Sequence, residues 1–128
     1  MSAEDMKAGE TIRREVMGTS HVDASLGNAT ELDMPLQEAA MEHVWGAVWT
    51  RDGLDRKTRS LVTVSMLIAL QAHGELKGHV RGALNNGVSP EEIRELIMHA
   101  AAYCGYPAAL SAMRVAPEVI DSYEGAGL

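Results

Sequence analysis

The chain predicts an all-α fold, and three observations carry that prediction. Apolar residues recur with helical spacing almost throughout, and no stretch alternates with period two for long. Helix punctuation is explicit: Ser89-Pro90-Glu91-Glu92 reads as a start, Asn86-Gly87 and Gly105 as stops. The core material is eight Met and many Ala, with two Trp, three Tyr and no Phe, which suits close helix packing better than a β-sandwich.

Taken in order, residues 4–17 form an amphipathic helix with Met6, Ile12, Val16 and Met17 inward, stopped by Gly18. His21 to Thr30 is small, polar and turn-like. A second helix is expected from Pro35 to Thr50, with Asp33 or Met34 near its cap and Pro35 in its first turn. Arg51-Asp52-Gly53-Leu54 is a turn, and Asp55 caps a third helix reaching Gln71. That helix (Leu61, Val62, Val64, Met66, Leu67, Ile68, Leu70) is apolar nearly all round, so it needs cover on every side, part of it from another copy of the chain. A fourth helix opens just after Gly74 and closes on Asn86-Gly87. The helix begun at Ser89 carries Ile93, Leu96, Ile97, Ala100, Ala101 and Cys104 inward, and Pro107 opens a last helix to Tyr123 that Pro117 should kink or restart. Residues 124–128 read as a frayed tail.

At 128 residues, 46% hydrophobic and 23% charged, the chain is expected to form one domain over residues 1–128. A net charge of −7 without a basic run argues against nucleic acid and anionic membrane as partners. The single Cys104 excludes a disulfide within the chain and a Cys-x-x-Cys redox centre. Residues 1–15 hold no apolar signal core, and the run from Leu61 to Ala72 is too short to span a bilayer, so the expected location is the cytoplasm.

The candidate chemistry centres on Glu75 and His79, four residues apart and hence stacked on one helix face beside the apolar stripe of Leu76, Val80, Ala83 and Leu84. On spacing alone they read first as a solvated pair worth about 0.2–0.5 kcal/mol of helix stability. The functional reading is an acid and an imidazole at the rim of a core, as a small proton-transfer site requires. Metal binding ranks lowest, because Glu-x-x-x-His supplies two ligands and no clear third is nearby. His99 and Tyr103 form another i,i+4 pair, read first as structural and second as pocket-lining, while His43 and His73 read as surface or helix-end residues. Cys104 reads as a buried small hydrophobe. Trp45 and Trp49 place two indoles on one face, either as core or as an aromatic wall leading to Arg51, whose guanidinium suits bidentate capture of a carboxylate. Arg13-Arg14 and Arg56 with Arg59 are the other cation clusters.

Several strings together resemble the carboxymuconolactone decarboxylase family. They are Arg13-Arg14-Glu15-Val16-Met17-Gly18, Trp45-Gly46-Ala47-Val48-Trp49-Thr50-Arg51-Asp52-Gly53-Leu54, and Thr58-Arg59-Ser60-Leu61. Glu75-Leu76-Lys77-Gly78-His79, Asn85-Asn86-Gly87-Val88 and Tyr103-Cys104-Gly105-Tyr106-Pro107-Ala108-Ala109 follow in order, so the resemblance covers roughly residues 8–120. It implies an all-helical alkyl hydroperoxidase D-like domain that packs into a ring-like homo-oligomer, a hexamer or trimer. The thiol-peroxidase cousins carry Cys-x-x-Cys ahead of a histidine; here Ala72 and Glu75 take the cysteine positions before His79, which argues against thiol redox chemistry.

The implied reaction is decarboxylation of γ-carboxymuconolactone to β-ketoadipate enol-lactone, in the protocatechuate branch of aromatic catabolism. Loss of CO2 leaves charge that flows through the ring double bond to the lactone carbonyl, so the substrate is its own electron sink and no cofactor or metal is needed. The resemblance gives Glu75 and His79 the proton transfer, with either as the donor. Arg51 or Arg59 would hold the carboxylate that stays, and Trp45, Trp49, Tyr106 and His99 would line the small dianionic lactone's site. Gln71-Ala72-His73 stands where the family has Asn-Arg or similar, Asp52 replaces the usual Pro after Arg51, and Tyr106 is larger than its usual counterpart. These departures leave open a family member acting on another small lactone or keto acid, and a non-catalytic oligomer remains the reading from a different class.

Overall fold

The computed structural model describes residues 3–124, and every described element is helical. The chain divides into two compact units, one running through Asp55 and one starting at Arg56.

In the first unit, α1 (Ala3–Met17) and α2 (Thr19–Gly27) are separated by Gly18, whose φ of +92° makes the break that a side chain would resist. Residues 21–30, expected as a turn, are thus largely helical. Propensity there is weak, but Val22 is fully buried and Leu26, one turn on, packs beside it, so tertiary burial stabilises a helix that local composition does not announce. α3 (Met34–Ala40) carries Pro35 in its first turn as expected. The Asp33 side chain turns back to accept from the Thr30 backbone and hydroxyl, which holds its carboxyl below the usual range, and does not cap the helix.

The single helix expected over 35–50 is not what forms. After Ala40 the backbone widens into a π-helical turn, Met41–Trp45, with Gly46 N–H donating to the Met41 carbonyl at 2.8 Å, and turns follow to Thr50. Gly9 and Gly46 explain how α1 lies against it: a Cβ on Gly9 would strike the Met41 carbonyl, and one on Gly46 the Asp5 carbonyl. Arg13 then ties the three helices, donating to Gln37 Oε1 at 3.0 Å and to Ser25 Oγ at 3.1 Å.

The second unit has four helices: α4 (Arg56–Leu70), α5 (His73–Asn85), α6 (Pro90–Cys104) and α7 (Tyr106–Ser122). α4 packs on α5 and α6, and α7 packs on the same two. Ties at one end set the directions. Asn86 Nδ2 donates to Ser60 Oγ, Lys57 pairs with Glu92, and Tyr123 Oη donates to Asn85 Oδ1. The starts of α4 and α6 therefore share an end with the finishes of α5 and α7, and Glu75 and Tyr106 lie toward the other end. Val64, Ile68, Leu76, Val80, Ile93 and Ile97 fill the core, and the buried alanines of α7 let it approach closely.

Within the chain, α4 leaves Val62, Met66 and Leu70, spaced by four, exposed. Two expectations are corrected here. Cys104, expected as a buried small hydrophobe, is exposed in the last turn of α6 before Gly105 ends the helix. α7 runs unbroken through Pro117, which is exposed along with Met113, so the carbonyl deprived of a donor lies on the solvent side. The tail expected at 124–128 lies, beyond Glu124, outside the described residues. Among the described residues no helix is long and apolar enough to cross a membrane.

Candidate active site

α5 carries Glu75 and His79. It begins at His73, two residues before the expected start, with Ala72 as an N-cap that makes no side-chain hydrogen bond. Leu76, Val80 and Ala83 are buried and fix which side of α5 faces the core. Glu75 and His79 fall on the flank of that face, as the spacing requires. Burial separates them. Glu75 is exposed in the first turn, while His79 is half-buried with its Nδ1 withdrawn from solvent.

The stripe they define continues. Residues 75, 79, 82 and 86 lie within roughly 60° of arc on an α-helix. Asn86, at the far end, donates from Nδ2 to Ser60 Oγ at 2.9 Å and to the Arg56 carbonyl at 3.3 Å, both on α4. The Glu75–His79 face is thereby turned toward the seam between α4 and α5. Arg59 belongs to the first turn of α4, half-buried with its Nε withdrawn from solvent, and Ser60 beside it is fully buried. The sequence reading passed over Ser60 and took Asn86 only as a helix stop; the signal was the seven-residue step from His79 to Asn86, which keeps a polar side chain on the same stripe.

The other predicted residues sit within one unit or the other. Trp45 and Trp49 are buried with Val16, Met17, Val22 and Met41 in the core of the first unit, their rings 4.9 Å apart and tilted by 31°. Arg51 is exposed in the turn that follows. Tyr106 is exposed at the first position of α7. His99 stacks on Tyr103 at 4.9 Å and, with Leu61, Ser65, Leu96 and Cys104, lines an apolar groove of about 410 Å³ between α4 and α6. That groove's lining does not include Glu75 or His79. Among the described residues no three His, Cys, Asp or Glu side chains gather as a metal site.

Comparison with known proteins puts this geometry in context. Residues 35–118 match the carboxymuconolactone decarboxylase family. The chain is 48% identical over 113 residues to the nitrosuccinic acid decarboxylase npaB of Metarhizium robertsii, covering 88% of this chain and 79% of that protein. It is 45% identical over 113 residues to the 4-carboxymuconolactone decarboxylase of Acinetobacter baylyi, covering 88% and 84%. An uncharacterised 15.0 kDa protein of Paracoccus denitrificans is 36% identical over 94 residues, covering 71% and 70%.

Proposed function

The chain belongs to the carboxymuconolactone decarboxylase family and is a carboxy-lyase, and on that premise we propose that it removes CO2 from γ-carboxymuconolactone without a cofactor. The observation that carries this reading is the Glu75–His79 stripe on α5 in a chain 45% identical to a protein named for that lactone. C–C cleavage releases CO2 and leaves the bonding pair on the ring, where conjugation spreads it to the lactone carbonyl as a dienolate. Protonation at the ring carbon next to that carbonyl completes the enol-lactone. His79 delivers this proton, its imidazole partly shielded by the packing of α5. Glu75, one turn earlier on the same face of α5, orients the ring. Arg59 holds the carboxylate that stays.

A second substrate is favoured by the relative at 48% identity. Nitrosuccinic acid is also a dicarboxylate whose reacting carbon is joined to an electron sink. Loss of CO2 would pass the electron pair to the nitro group as a nitronate, and a proton would return to the same carbon. Both reactions ask the protein for one anchored carboxylate, one departing carboxylate and one delivered proton. The purified chain, incubated separately with each compound, separates the two by ultraviolet absorbance of the lactone and by CO2 release. Turnover of nitrosuccinate alone moves the assignment to that acid, and turnover of neither removes both. We also propose that the exposed Val62–Met66–Leu70 stripe is covered by another copy in a ring-like homo-oligomer; a monomeric mass by light scattering would remove that part.

A further inference from the structure

We propose that Asn86 and Ser60 are a positioning pair for this reaction, holding α5 at the rotation that aims Glu75 and His79 into the α4 seam. The inference rests on the reading of Glu75 and His79 as the reacting pair. Asn86 sits seven positions beyond His79 on the same stripe, roughly 10 Å along the helix axis. At that level the Asn86 amide makes two hydrogen bonds to α4, one to Ser60 Oγ at 2.9 Å and one to the Arg56 carbonyl at 3.3 Å.

Their chemistry fits orientation. Ser60 is fully buried on a helix otherwise packed through apolar side chains, so its hydroxyl needs a partner, and Asn86 supplies one from across the seam. Apolar contacts such as Val64 and Ile68 against Leu76 and Val80 press α5 inward but tolerate small rotations, because dispersion is non-directional. A hydrogen bond weakens steeply when bent, so a directed amide–hydroxyl bond resists the rotation that apolar packing permits. Any rotation of α5 carries His79 with it, since Asn86 is the C-cap of that same helix. The backbone N–H of Asn86 bonds the Gly82 and Ala83 carbonyls at 3.0 and 3.1 Å, which locks the side chain's base to α5 itself. Ser60 adjoins Arg59, so the same bond sets the anchor's turn against the proton donor's helix.

The neighbouring tie provides a control. Tyr123 Oη donates to Asn85 Oδ1 at 2.8 Å, joining α5 to α7 and not to α4. The test compares Ser60→Ala, Asn86→Ala, the double variant and Tyr123→Phe on whichever substrate the wild type turns over. Each clamp variant is expected to lose about ten- to a hundredfold in kcat, the scale of a small misplacement of reacting groups, with KM within about twofold. The double variant loses no more than either single, because the two act through one bond. Tyr123→Phe keeps kcat within about twofold of wild type. Unchanged kcat in folded clamp variants, multiplicative losses in the double, or an equal loss in Tyr123→Phe would each overturn the proposal.

A second readout does not need turnover. The imidazole resonances of His79, assigned by their disappearance in His79→Gln, should move in Ser60→Ala and Asn86→Ala and stay in place in Tyr123→Phe. Unmoved resonances in the clamp variants overturn the positioning role even if the wild type processes neither substrate, an outcome that by itself defeats only the assigned reaction.

Discussion

Helices α5 and α6 each carry a glutamate at the third position of the first turn, and the two glutamates have opposite employment. In α6, Glu92 closes a capping box: Ser89 Oγ accepts from the Glu92 N–H at 3.0 Å, and Glu92 Oε1 accepts from the Ser89 N–H at 3.0 Å. Its other oxygen meets Lys57 Nζ at 3.1 Å. In α5 the N-cap is Ala72, which has no hydroxyl, and its N–H already donates to the Leu67 carbonyl at 3.0 Å. That bond, with Gln71 N–H to the Ile68 carbonyl and Gln71 at φ +54°, is the Schellman closure of α4. The end of one helix therefore uses the donor that a capping box at the start of the next would need. A glutamate at the third position of a helix closes a capping box where the N-cap N–H is available, as in α6, and stays out of one where that N–H is already used, as in α5.

The largest test of that contrast is His79→Ala, expected to lower kcat for CO2 release by about 10²–10⁴, the range for removing a general acid, with helical circular dichroism unchanged. Near-normal turnover would take His79 out of the mechanism. The glutamates should then cross over. Glu75→Gln should lower kcat by about 10²-fold or less with little change in Tm, and Glu92→Ala, which removes the box's acceptor, should lower Tm and spare kcat. If both variants fall on the same axis, the distinction between them fails. Ser89→Ala, which opens the box from its other side, should cost about 1 kcal/mol in chemical denaturation.

Acid sharpens the same comparison. The Ser89 N–H and then Lys57 hold the Glu92 carboxyl below its ordinary value of 4.5. A carboxyl lowered on folding contributes stability that is present above the ordinary value and lost as pH falls through the lowered one. The stability gap between wild type and Glu92→Gln should thus be flat near neutrality and close in that acid window; a gap independent of pH down to full protonation would contradict it. The smallest expected effect is Gln71→Gly, which relieves a left-handed residue at the α4–α5 junction and should add about 0.5–1 kcal/mol to stability without touching kcat.

How much was legible depended on how local the cause was. Ser89, Pro90 and Glu92 act on one another within four residues, and the start of α6 formed as read. Gly105 and Gly87 adopt positive φ at helix ends, as their residue type suggests. The α2 helix was not legible, since its stability comes from burying Val22 and not from its polar composition. Nor was the π-helical turn, which follows from a close backbone approach between Gly9 and Gly46, far apart in sequence. Nor was the exposure of Cys104, which its stripe on α6 placed inward.

By itself the sequence determined the helical class, the punctuation of the second unit and the one-turn spacing of Glu75 and His79, because these depend on backbone stereochemistry and the 3.6-residue period. Only the tertiary structure decided that Trp45 and Trp49 fill a core, that His79 is shielded while Glu75 is not, and that Asn86 reaches Ser60. Those outcomes turn on which surfaces meet, and a helix's own periodicity says which side is apolar without saying what will lie against it.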